Sequence, residues 1–480
     1  MEIFSANLDA VSLKSVFGYI TNLSVSPVLE TTVCHRWREV ALLTPSLWSY
    51  IKINVGKDYL DMLPREYSHG YLMRLLELWI SRSGRHLLDI AVLTHQSDYE
   101  IQQFHQLLDV LLPHSSRWRS MYIDDAAPEY LSQLKQISSA DIPNLEKLRI
   151  TLHKKPHPYE VIDEDILTHL LHTAPSLSEV SVRRLGGRYH VPRLPWTQLK
   201  KLSLYNCANT YLFSHDGLLR LFFLCTNLRK LFLTFPRVRR LRISSVALFQ
   251  DLFEQSVQLP SVVHSTTLTH LTLNQLPPQA VGTCDVLHRL TLPNLRQLEL
   301  ACWKKITSDS EDAQHNIFPT LHALILRSNC PLEKLSLAGI PLPTPHTTEC
   351  LRLVSTTLRS LTLSRVDSAF GYDHRAGTDH LFSELINDQL CQSLTIFDFQ
   401  ADTDPTIPSP IDVHTMVHSR SLQLIGPVSR LEKVKLRLNR TGRDPCFTQQ
   451  EVESIRAVGV NLLVNELTEE RSLVVFGGTG

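Results

Sequence analysis

Histidine pairs are the first residues of this chain whose type and spacing suit chemistry, because imidazole is the commonest metal ligand in proteins. His414 and His418 lie four positions apart on a predicted helix, a spacing at which two side chains can bind one zinc ion. The residues between them do not include the glutamate of a zinc protease, which favours solvated or packed histidines. His169 and His172, which lie among core leucines, are interpreted in the same way. We therefore expect no metal site.

Nucleotide-binding and hydrolase motifs do not occur in the sequence. Without a GxGxxG, P-loop or GxSxG string, phosphate binding and nucleophilic catalysis lack their usual loops. Asp163, Glu164 and Asp165 form an acidic cluster, but they begin a predicted helix whose N-terminal dipole favours negative charge. The nine cysteines are scattered singly, which fits a reducing compartment rather than a disulfide framework. The sequence therefore predicts a protein without catalytic residues, cofactor or metal ion.

A string of the form L-x-x-L-x-L recurs along most of the chain. Its last two apolar positions alternate with polar ones, as expected for a strand that buries one face. A segment with helical spacing precedes most copies, for example Asp163–Thr173, so strand, turn and helix form one unit. Successive copies start about 22 to 40 residues apart. The ten clear copies begin at Leu145, Leu177, Leu199, Leu228, Leu268, Leu295, Leu332, Leu358, Leu394 and Leu431.

Three further strings resemble the repeated one, and two of them indicate where the array begins. Weaker copies start at Leu87 and Trp118, each after a helical segment, which places the beginning of the array near Tyr71. The string from Leu321 lies only eleven positions before the next copy, too close for a helix to intervene. The sequence therefore predicts that Leu321–Arg327 belongs to a helix.

These strings resemble leucine-rich repeats, whose longer consensus places Asn or Cys three positions after the last Leu. Cys207 fits that position, whereas the equivalent positions elsewhere hold Leu276, Trp303, Ile340 and Val366. We therefore expect the polar ladder of the family to be missing, so that adjacent turns need not be uniform. The resemblance implies an α/β repeat fold, an irregular solenoid with a parallel sheet on its concave side and helices on its convex side.

The charge balance argues against nucleic acid and membrane partners. The chain has 480 residues with 48 Lys and Arg against 48 Asp and Glu, so no long-range field attracts a polyanion or an acidic lipid surface. The sequence does not begin with a charged and then apolar signal, and no apolar run reaches the length of a membrane span. We expect a soluble protein of the cytoplasm, the nucleus or both.

Lysine recurs at the first outward-facing position of five predicted strands. In a solenoid these positions align on the concave sheet, where a basic stripe suits an acidic or phosphorylated segment of a target protein. Ordinary surface lysines are the alternative explanation, because glutamate stands next to several of them. The candidate residues for target binding are Lys147, Lys201, Lys230, Lys334 and Lys433.

The N-terminal region carries a second pattern. Pro27 suits the first position of an amphipathic helix, and Pro45 helps to end it before a short strand. The stretch VCHRWREVALLTPSLWSYIKI, Val33–Ile53, resembles the second half of the F-box in a large fungal group of F-box proteins. In that group a helix of the form L-x-x-W-L-x-R-S-G follows, and then leucine-rich repeats. Here Leu76–Gly84 reads LELWISRSG.

The resemblance to this F-box and leucine-rich-repeat family implies that three short N-terminal helices bind a Skp-family adaptor, which tethers the chain to a cullin ubiquitin ligase. The family has a full first helix before the string Glu2–Phe4, so here that helix is truncated or Leu13–Ile20 substitutes for it. Trp37 and Trp48 also suit the core of the module itself. By position, the resemblance assigns adaptor binding or its support to Ile3, Phe4, Pro27, Val28, Leu29, Val33, Trp37, Leu42, Pro45, Leu47 and Trp48.

Both patterns together predict four segments: an F-box-like module at 1–53, a connecting segment at 54–70, the solenoid at 71–440 and a C-terminal cap or tail at 441–480. The expected function is that of a non-catalytic substrate-recognition subunit, which binds the adaptor with its N-terminal helices and a target protein with its repeat surface. The alternative is a ligase-independent leucine-rich-repeat scaffold whose N-terminal helices cap the solenoid. A metal-dependent enzyme is the third hypothesis.

Overall fold

The computed structural model shows an α/β chain in which parallel strands and helices alternate along the sequence. It divides into two units, Met1–Pro195 and Trp196–Gly480. The structure describes residues 34–54, 68–94, 98–126, 131, 134, 136–152, 171–172, 174–183, 194–205, 215–234, 260–276, 281–302, 317–340, 346–366, 374–386, 390–401, 410–422, 429, 431–440, 448–457, 461–468 and 471–474.

The described part of the first unit contains three helices and five strands. The helices are α1 (His35–Leu42), α2 (Ser68–Arg82) and α3 (Asp98–Leu111). The strands are β1 (Tyr50–Asn54), β2 (Leu88–Leu93), β3 (Trp118–Ala126), β4 (Lys147–Leu152) and β5 (Glu179–Arg183). Neighbouring strands pair in chain order, and each pair is parallel. Short 3-10 helices lie at Pro45–Trp48, Leu112–Arg117 and Ser139–Asp141.

The described part of the second unit contains seven helices, which alternate with most of its strands. The helices are α4 (His215–Leu224), α5 (Val281–Arg289), α6 (Ile317–Ser328), α7 (His346–Leu353), α8 (His374–Ile386), α9 (Pro410–Leu422) and α10 (Gln449–Ala457). The strands are β6 (Lys201–Tyr205), β7 (Lys230–Thr234), β8 (Val263–His264), β9 (His270–Leu276), β10 (Leu290–Thr291), β11 (Gln297–Cys302), β12 (Lys334–Ala338), β13 (Ser360–Val366), β14 (Ile396–Ala401), β15 (Lys433–Arg440), β16 (Asn461–Thr468) and β17 (Arg471–Val474).

The main sheet of the second unit has the order β6-β7-β9-β11-β12-β13-β14-β15-β16-β17. Its pairs are parallel except the last, because β17 runs antiparallel to β16. Strands β8 and β10 form a separate parallel pair. Parallel neighbours require a crossover connection, and the helices of this unit supply most of the crossovers that are described.

The leucines of the repeated string lie in register across these sheets. Leu202 of β6 is opposite Leu231 of β7, which is opposite Leu271 of β9, and all three side chains are buried. Full burial of a leucine side chain contributes about 1.5–3 kcal/mol. All ten clear copies and both weaker copies form strands, and the string from Leu321 lies in helix α6. The prediction of an α/β repeat with parallel strands and intervening helices is therefore confirmed.

Consecutive helices also contact one another. In the first unit α2 contacts α3, and in the second unit each helix from α4 to α10 contacts the next. The helices bury apolar side chains toward the sheet and their neighbours, as in α6, where Leu321 and Leu324 are inaccessible to solvent while Leu326 is exposed. Each repeat therefore contributes one layer of strand and helix to a core that continues into the next repeat.

A polar ladder links the starts of the strands. In most of the described repeats the residue immediately before the first Leu donates a side-chain hydrogen bond to a backbone carbonyl in the preceding repeat; Pro331, before Leu332, has no such donor. The sequence predicted that the family's ladder, three positions after the last Leu, is missing; the hydrogen bonds of the ladder at the strand starts lie at the other end of the strand and leave that prediction as it stands. The hydrogen bonds join Asn144 to Ser116 (2.7 Å), Ser176 to Pro143 (2.6 Å), Asn227 to Thr197 (2.6 Å), Thr267 to Thr226 (3.0 Å), Asn294 to Thr266 (2.6 Å) and Ser393 to Thr356 (2.6 Å).

Arginines near the ends of helices make a second connection between repeats. Arg327, in the last turn of α6, donates to the carbonyl oxygens of Leu287 and Leu290 at 2.9 Å each. Arg420 of α9 donates to the carbonyl oxygens of Leu385 and Cys391 at 2.9 Å each, and also to that of Leu390. These bonds satisfy carbonyl groups at the end of the preceding helix and in the turn after it.

Both limits of the sheets differ from the predicted array. Strand β1 pairs with β2, so parallel pairing begins at Tyr50, one strand before the predicted start near Tyr71. At the other end β16 pairs with β15, which extends the sheet beyond Arg440. Neither added strand carries the full leucine string, which is why the repeat pattern alone did not include them.

Candidate functional site

The two faces of each sheet differ in exposure because successive side chains of a strand point to opposite faces. On β12, Leu335 is buried, whereas Lys334 is exposed and Ser336 is partly exposed. We use the term open face for the side of each sheet that carries Lys334 in the second unit and Tyr50 and Lys52 in the first. The candidate target-binding lysines all lie on it.

On the open face of the first unit, charged side chains form close ion pairs. Lys147 of β4 is directly opposite Glu179 of β5, and its Nζ lies 3.6 Å from a Glu179 carboxylate oxygen. Asp89 of β2 accepts hydrogen bonds from Arg119 at 3.1 Å and from the Ser120 hydroxyl at 2.6 Å. The lysine predicted to bind a target in this unit is therefore already paired with a carboxylate.

Aromatic side chains occupy the same face. The guanidinium carbon of Arg149 lies 4.8 Å from the ring centroid of Tyr122, a distance that allows a cation–π interaction. Burial, followed by the charge and hydrogen bond of Asp124, raises the pKa of Tyr122 to about 12. Burial and the charge of Asp89 also raise the pKa of Tyr50. Both phenols therefore remain neutral hydrogen-bonding groups at physiological pH.

In the second unit the register brings several basic groups together. Lys201 of β6 is directly opposite Lys230 of β7, and Lys230 is opposite His270 of β9. Gln297 of β11 then lies between His270 and Lys334 of β12. Burial and the positive charge of Lys230 are the leading causes that lower the pKa of His270. Three of the five predicted lysines therefore lie in one row of this sheet.

Lys433 belongs to another part of the second unit. It is opposite Ile396 of β14, and the next side chains on that face form a cluster around Asp398. Arg437 donates to the two carboxylate oxygens of Asp398 at 3.1 and 3.2 Å, and the Nζ of Lys435 lies 3.9 Å away. The sequence did not single out this cluster, although the alternating cations of KVKLR in β15 are its signal.

The F-box-like motif is divided between the interior and the surface. Trp48 is 0% exposed, donates its indole N–H to the carbonyl oxygen of Ala41 at 2.7 Å and contacts Trp79 edge to face at 5.2 Å. The guanidinium of Arg82 covers the Trp48 ring at 4.4 Å. Leu47 is buried beside it. These contacts attach α1 to α2, so Leu47 and Trp48 support the motif from inside.

Other motif residues face outwards. Trp37 and Leu42 on α1 are 40% and 39% exposed, and Leu43 after it is 81% exposed. Pro45 is half-buried. Of the predicted adaptor-binding residues, Ile3, Phe4, Pro27, Val28, Leu29 and Val33 lie outside the described residues.

The histidine pairs remain ordinary surface groups where they are described. The rings of His414 and His418 stack with centroids 5.7 Å apart, and His172 is exposed. His169 and the acidic cluster Asp163–Asp165 lie outside the described residues. Within the described part of the chain, no group of three or more His, Cys, Asp or Glu is arranged to hold a metal ion.

Searches for relatives found no protein-family model and no curated protein that matches this chain. In the part of the chain that the structure describes, no helix combines the length and the apolar character needed to cross a membrane.

Proposed function

We propose that this chain is a substrate-recognition subunit of a Skp–cullin–F-box ubiquitin ligase. Its N-terminal helices bind the adaptor, and the open face of its repeats binds a target protein. The observation that carries the proposal is the division of the motif Val33–Ile53 into a buried anchor at Trp48 and an exposed apolar surface at Trp37, Leu42 and Leu43.

An exposed apolar surface of this kind favours association with another protein. Large apolar side chains that remain accessible on one short helix contribute to binding when a partner removes them from water. Tryptophan is also enriched among the residues that dominate binding energy at protein interfaces. The exposed side chains of Trp37, Leu42 and Leu43 therefore suit the apolar contact that the family resemblance implies for the adaptor.

The contacts of the buried Trp48 also support the proposal. Trp48 contacts α1 through Ala41 and contacts α2 through Trp79 and Arg82, so the motif packs directly on the helix of the first repeat. This packing would hold an adaptor bound at α1 close to the first repeat. Catalysis then takes place on associated subunits, and this chain contributes a high effective concentration of target.

Co-purification with a recombinant Skp-family adaptor tests the proposal. The wild-type chain is expected to retain the adaptor, and the double variant Trp37→Asp, Leu42→Asp is expected to lose it, because two charges then stand in an apolar contact. Leu326→Asp is the matched control, since Leu326 of α6 is 61% exposed and lies far from the motif in sequence. Circular dichroism checks that all three proteins are folded.

A second candidate function is a ligase-independent scaffold for protein interactions. The burial of Leu47 and Trp48 favours it, because the motif then serves chiefly to close the end of the first sheet. Failure of the wild-type chain to bind any Skp-family adaptor would contradict the ligase proposal and support the scaffold.

A further inference from the structure

Positive charge is concentrated at the starts of β6 and β7, the first two strands of the main sheet in the second unit. Lys200 and Lys201, just before and at the start of β6, lie beside Arg229 and Lys230, just before and at the start of β7. The backbone amides of Arg229 and Lys230 donate to the carbonyl oxygen of Lys200 at 2.8 and 3.1 Å. Lys201 and Lys230 are direct cross-strand partners on the open face. We use the term basic edge for Lys200, Lys201, Arg229 and Lys230.

This arrangement is unfavourable for the isolated protein. Like charges directly opposite each other on neighbouring strands destabilise a sheet. Within the described part of the chain, no carboxylate forms an ion pair with Lys200, Arg229 or Lys230, in contrast to Lys147, which is paired with Glu179. Local stability therefore does not explain the presence of Lys200, Arg229 and Lys230 at this position, and residues that conflict with local stability are often functional.

Adjacent strands continue the positive surface. His270 on β9 is opposite Lys230, and its lowered pKa reflects burial and then the charge of Lys230. Arg296, just before β11, is paired with Glu333, and Lys334 and Arg359 follow at the start of β12 and just before β13. From β6 to β13 the surface spans six neighbouring strands, about 24 Å, which is the length of about seven residues of extended peptide.

We propose that the basic edge binds a segment of a partner protein that is rich in aspartate and glutamate. Four cations on long side chains spread over two strands match carboxylates distributed along a peptide. A phosphate site would instead favour several arginines converging on one point. The inference deepens the proposed function, on which it rests for the identification of this segment as part of the target.

The neighbouring residues favour a peptide over a nucleic acid. The next positions along β6, β7 and β9 on this side hold Ser203, Phe232 and Thr272, which carry no charge; Ser203 and Thr272 are buried, and Phe232 is partly exposed and offers an aromatic contact. Glu299 on β11 and Glu333 just before β12 interrupt the positive field that a phosphate backbone would follow. The chain as a whole carries no net charge.

Fluorescence anisotropy with the full chain and labelled peptides tests the proposal. The probe is a peptide of about twelve residues with about six Asp and Glu, and the reference peptide replaces each of them by Asn or Gln. We expect the wild-type chain to bind the acidic peptide with an affinity that falls as salt increases, and not to bind the neutral peptide.

Charge reversal locates the binding surface. Arg229→Glu with Lys230→Glu is expected to weaken binding of the acidic peptide by roughly tenfold or more. The matched control is Arg74→Glu with Arg85→Glu, two exposed arginines of the first unit, which changes the net charge equally and should alter the affinity less than roughly twofold. Because Lys230→Glu replaces a like-charge pair with an opposite-charge pair, the urea midpoint of unfolding should not fall.

Three results would overturn the proposal. They are equal binding of the neutral peptide, unchanged affinity of the charge-reversal variant, and binding of a single-stranded oligonucleotide or a phosphorylated peptide roughly tenfold more tightly than the acidic peptide. If the reversal variant does not fold, Lys200→Gln with Arg229→Gln replaces it under the same criteria. These measurements contain no adaptor, so loss of adaptor binding and loss of peptide binding identify separate failures.

Discussion

At the scale of single residues, cations in this protein occupy two opposite environments. Arg420 is 1% exposed and donates hydrogen bonds to three backbone carbonyl groups, so its charge is held by oriented dipoles in the interior. Lys200, Arg229 and Lys230 stand at the surface beside other cations. The first kind of residue stabilises the repeats, and the second is available to a partner.

Replacement of Arg420 by leucine should destabilise the protein by about 2–4 kcal/mol, because the carbonyl oxygens of Leu385, Leu390 and Cys391 lose their donor in a buried site. Urea unfolding followed by circular dichroism measures the change. Arg74→Leu on the exposed side of α2 should change the stability by less than about 0.5 kcal/mol. Equal stability of the Arg420 variant and the wild type would show that these hydrogen bonds make no net contribution to the free energy of unfolding.

The sequence predicted some of these residue roles and not others. The position of Lys201 opposite Lys230 followed from the spacing of the leucine strings. The cluster of Asp398 with Arg437 did not, because it depends on which strands are neighbours and on a diagonal contact between them. Arg420 resembles any arginine in the last turn of a helix until the packing of the preceding repeat is known.

At the scale of elements, the ladder at the strand starts fixes one repeat on the next. Each bond connects a side chain in one turn with the backbone of the preceding turn, across about 30 to 40 residues of sequence. Asn, Ser and Thr suit this position because their short side chains reach a neighbouring carbonyl group with little loss of conformational entropy. A polar residue directly before the first Leu is the sequence signal of this ladder.

Asn294→Ala should lower the free energy of unfolding by about 0.5–1 kcal/mol, because it removes the bond to the Thr266 carbonyl oxygen at an exposed site. The control is Thr266→Ala, which keeps that backbone oxygen and should leave the stability within about 0.5 kcal/mol of wild type. Denaturant titration of both variants measures the difference. A larger loss for the Thr266 variant than for the Asn294 variant would contradict a stabilising ladder.

Most helices and strands could be predicted from periodicity, because a strand with one buried face and a helix with one buried stripe have different spacings of leucine. The string from Leu321 shows the limit of this rule, since its letters match a strand and only its distance from Leu332 predicted helix α6. Strand β1 was predicted, but its pairing with β2 was not, since no leucine string identifies it as a repeat.

At the scale of the whole molecule, the division at Pro195 and Trp196 was not visible in the sequence. The repeated strings continue through it, with copies at Leu177 and Leu199 on either side, so composition and periodicity do not change there. Within each unit the strands pair in chain order, apart from the separate pair β8 and β10, so most interactions join neighbours along the sequence. Stability in such an array is a sum over repeats and their interfaces.

Leu335→Ala should lower the free energy of unfolding by about 2–5 kcal/mol. Leu335 is 1% exposed in the middle of the main sheet of the second unit, and the change leaves a cavity. Nearest-neighbour coupling predicts that amide protection is lost first in β12 and in its partners β11 and β13. Hydrogen exchange with mass spectrometry measures this pattern. An equal loss of protection in all strands of the second unit would contradict local coupling and indicate one cooperative transition.

The ladder at the strand starts has a consequence for how such a chain changes during evolution. Its side chains donate to backbone carbonyl oxygens, which every repeat provides whatever its side chains are. Duplication or deletion of a complete repeat therefore brings together two turns that can still form this hydrogen bond, so no side-chain donor loses its acceptor. The array can therefore lengthen or shorten in whole repeats, and under the proposed function such a step would change the size of the target-binding surface before any single side chain changes.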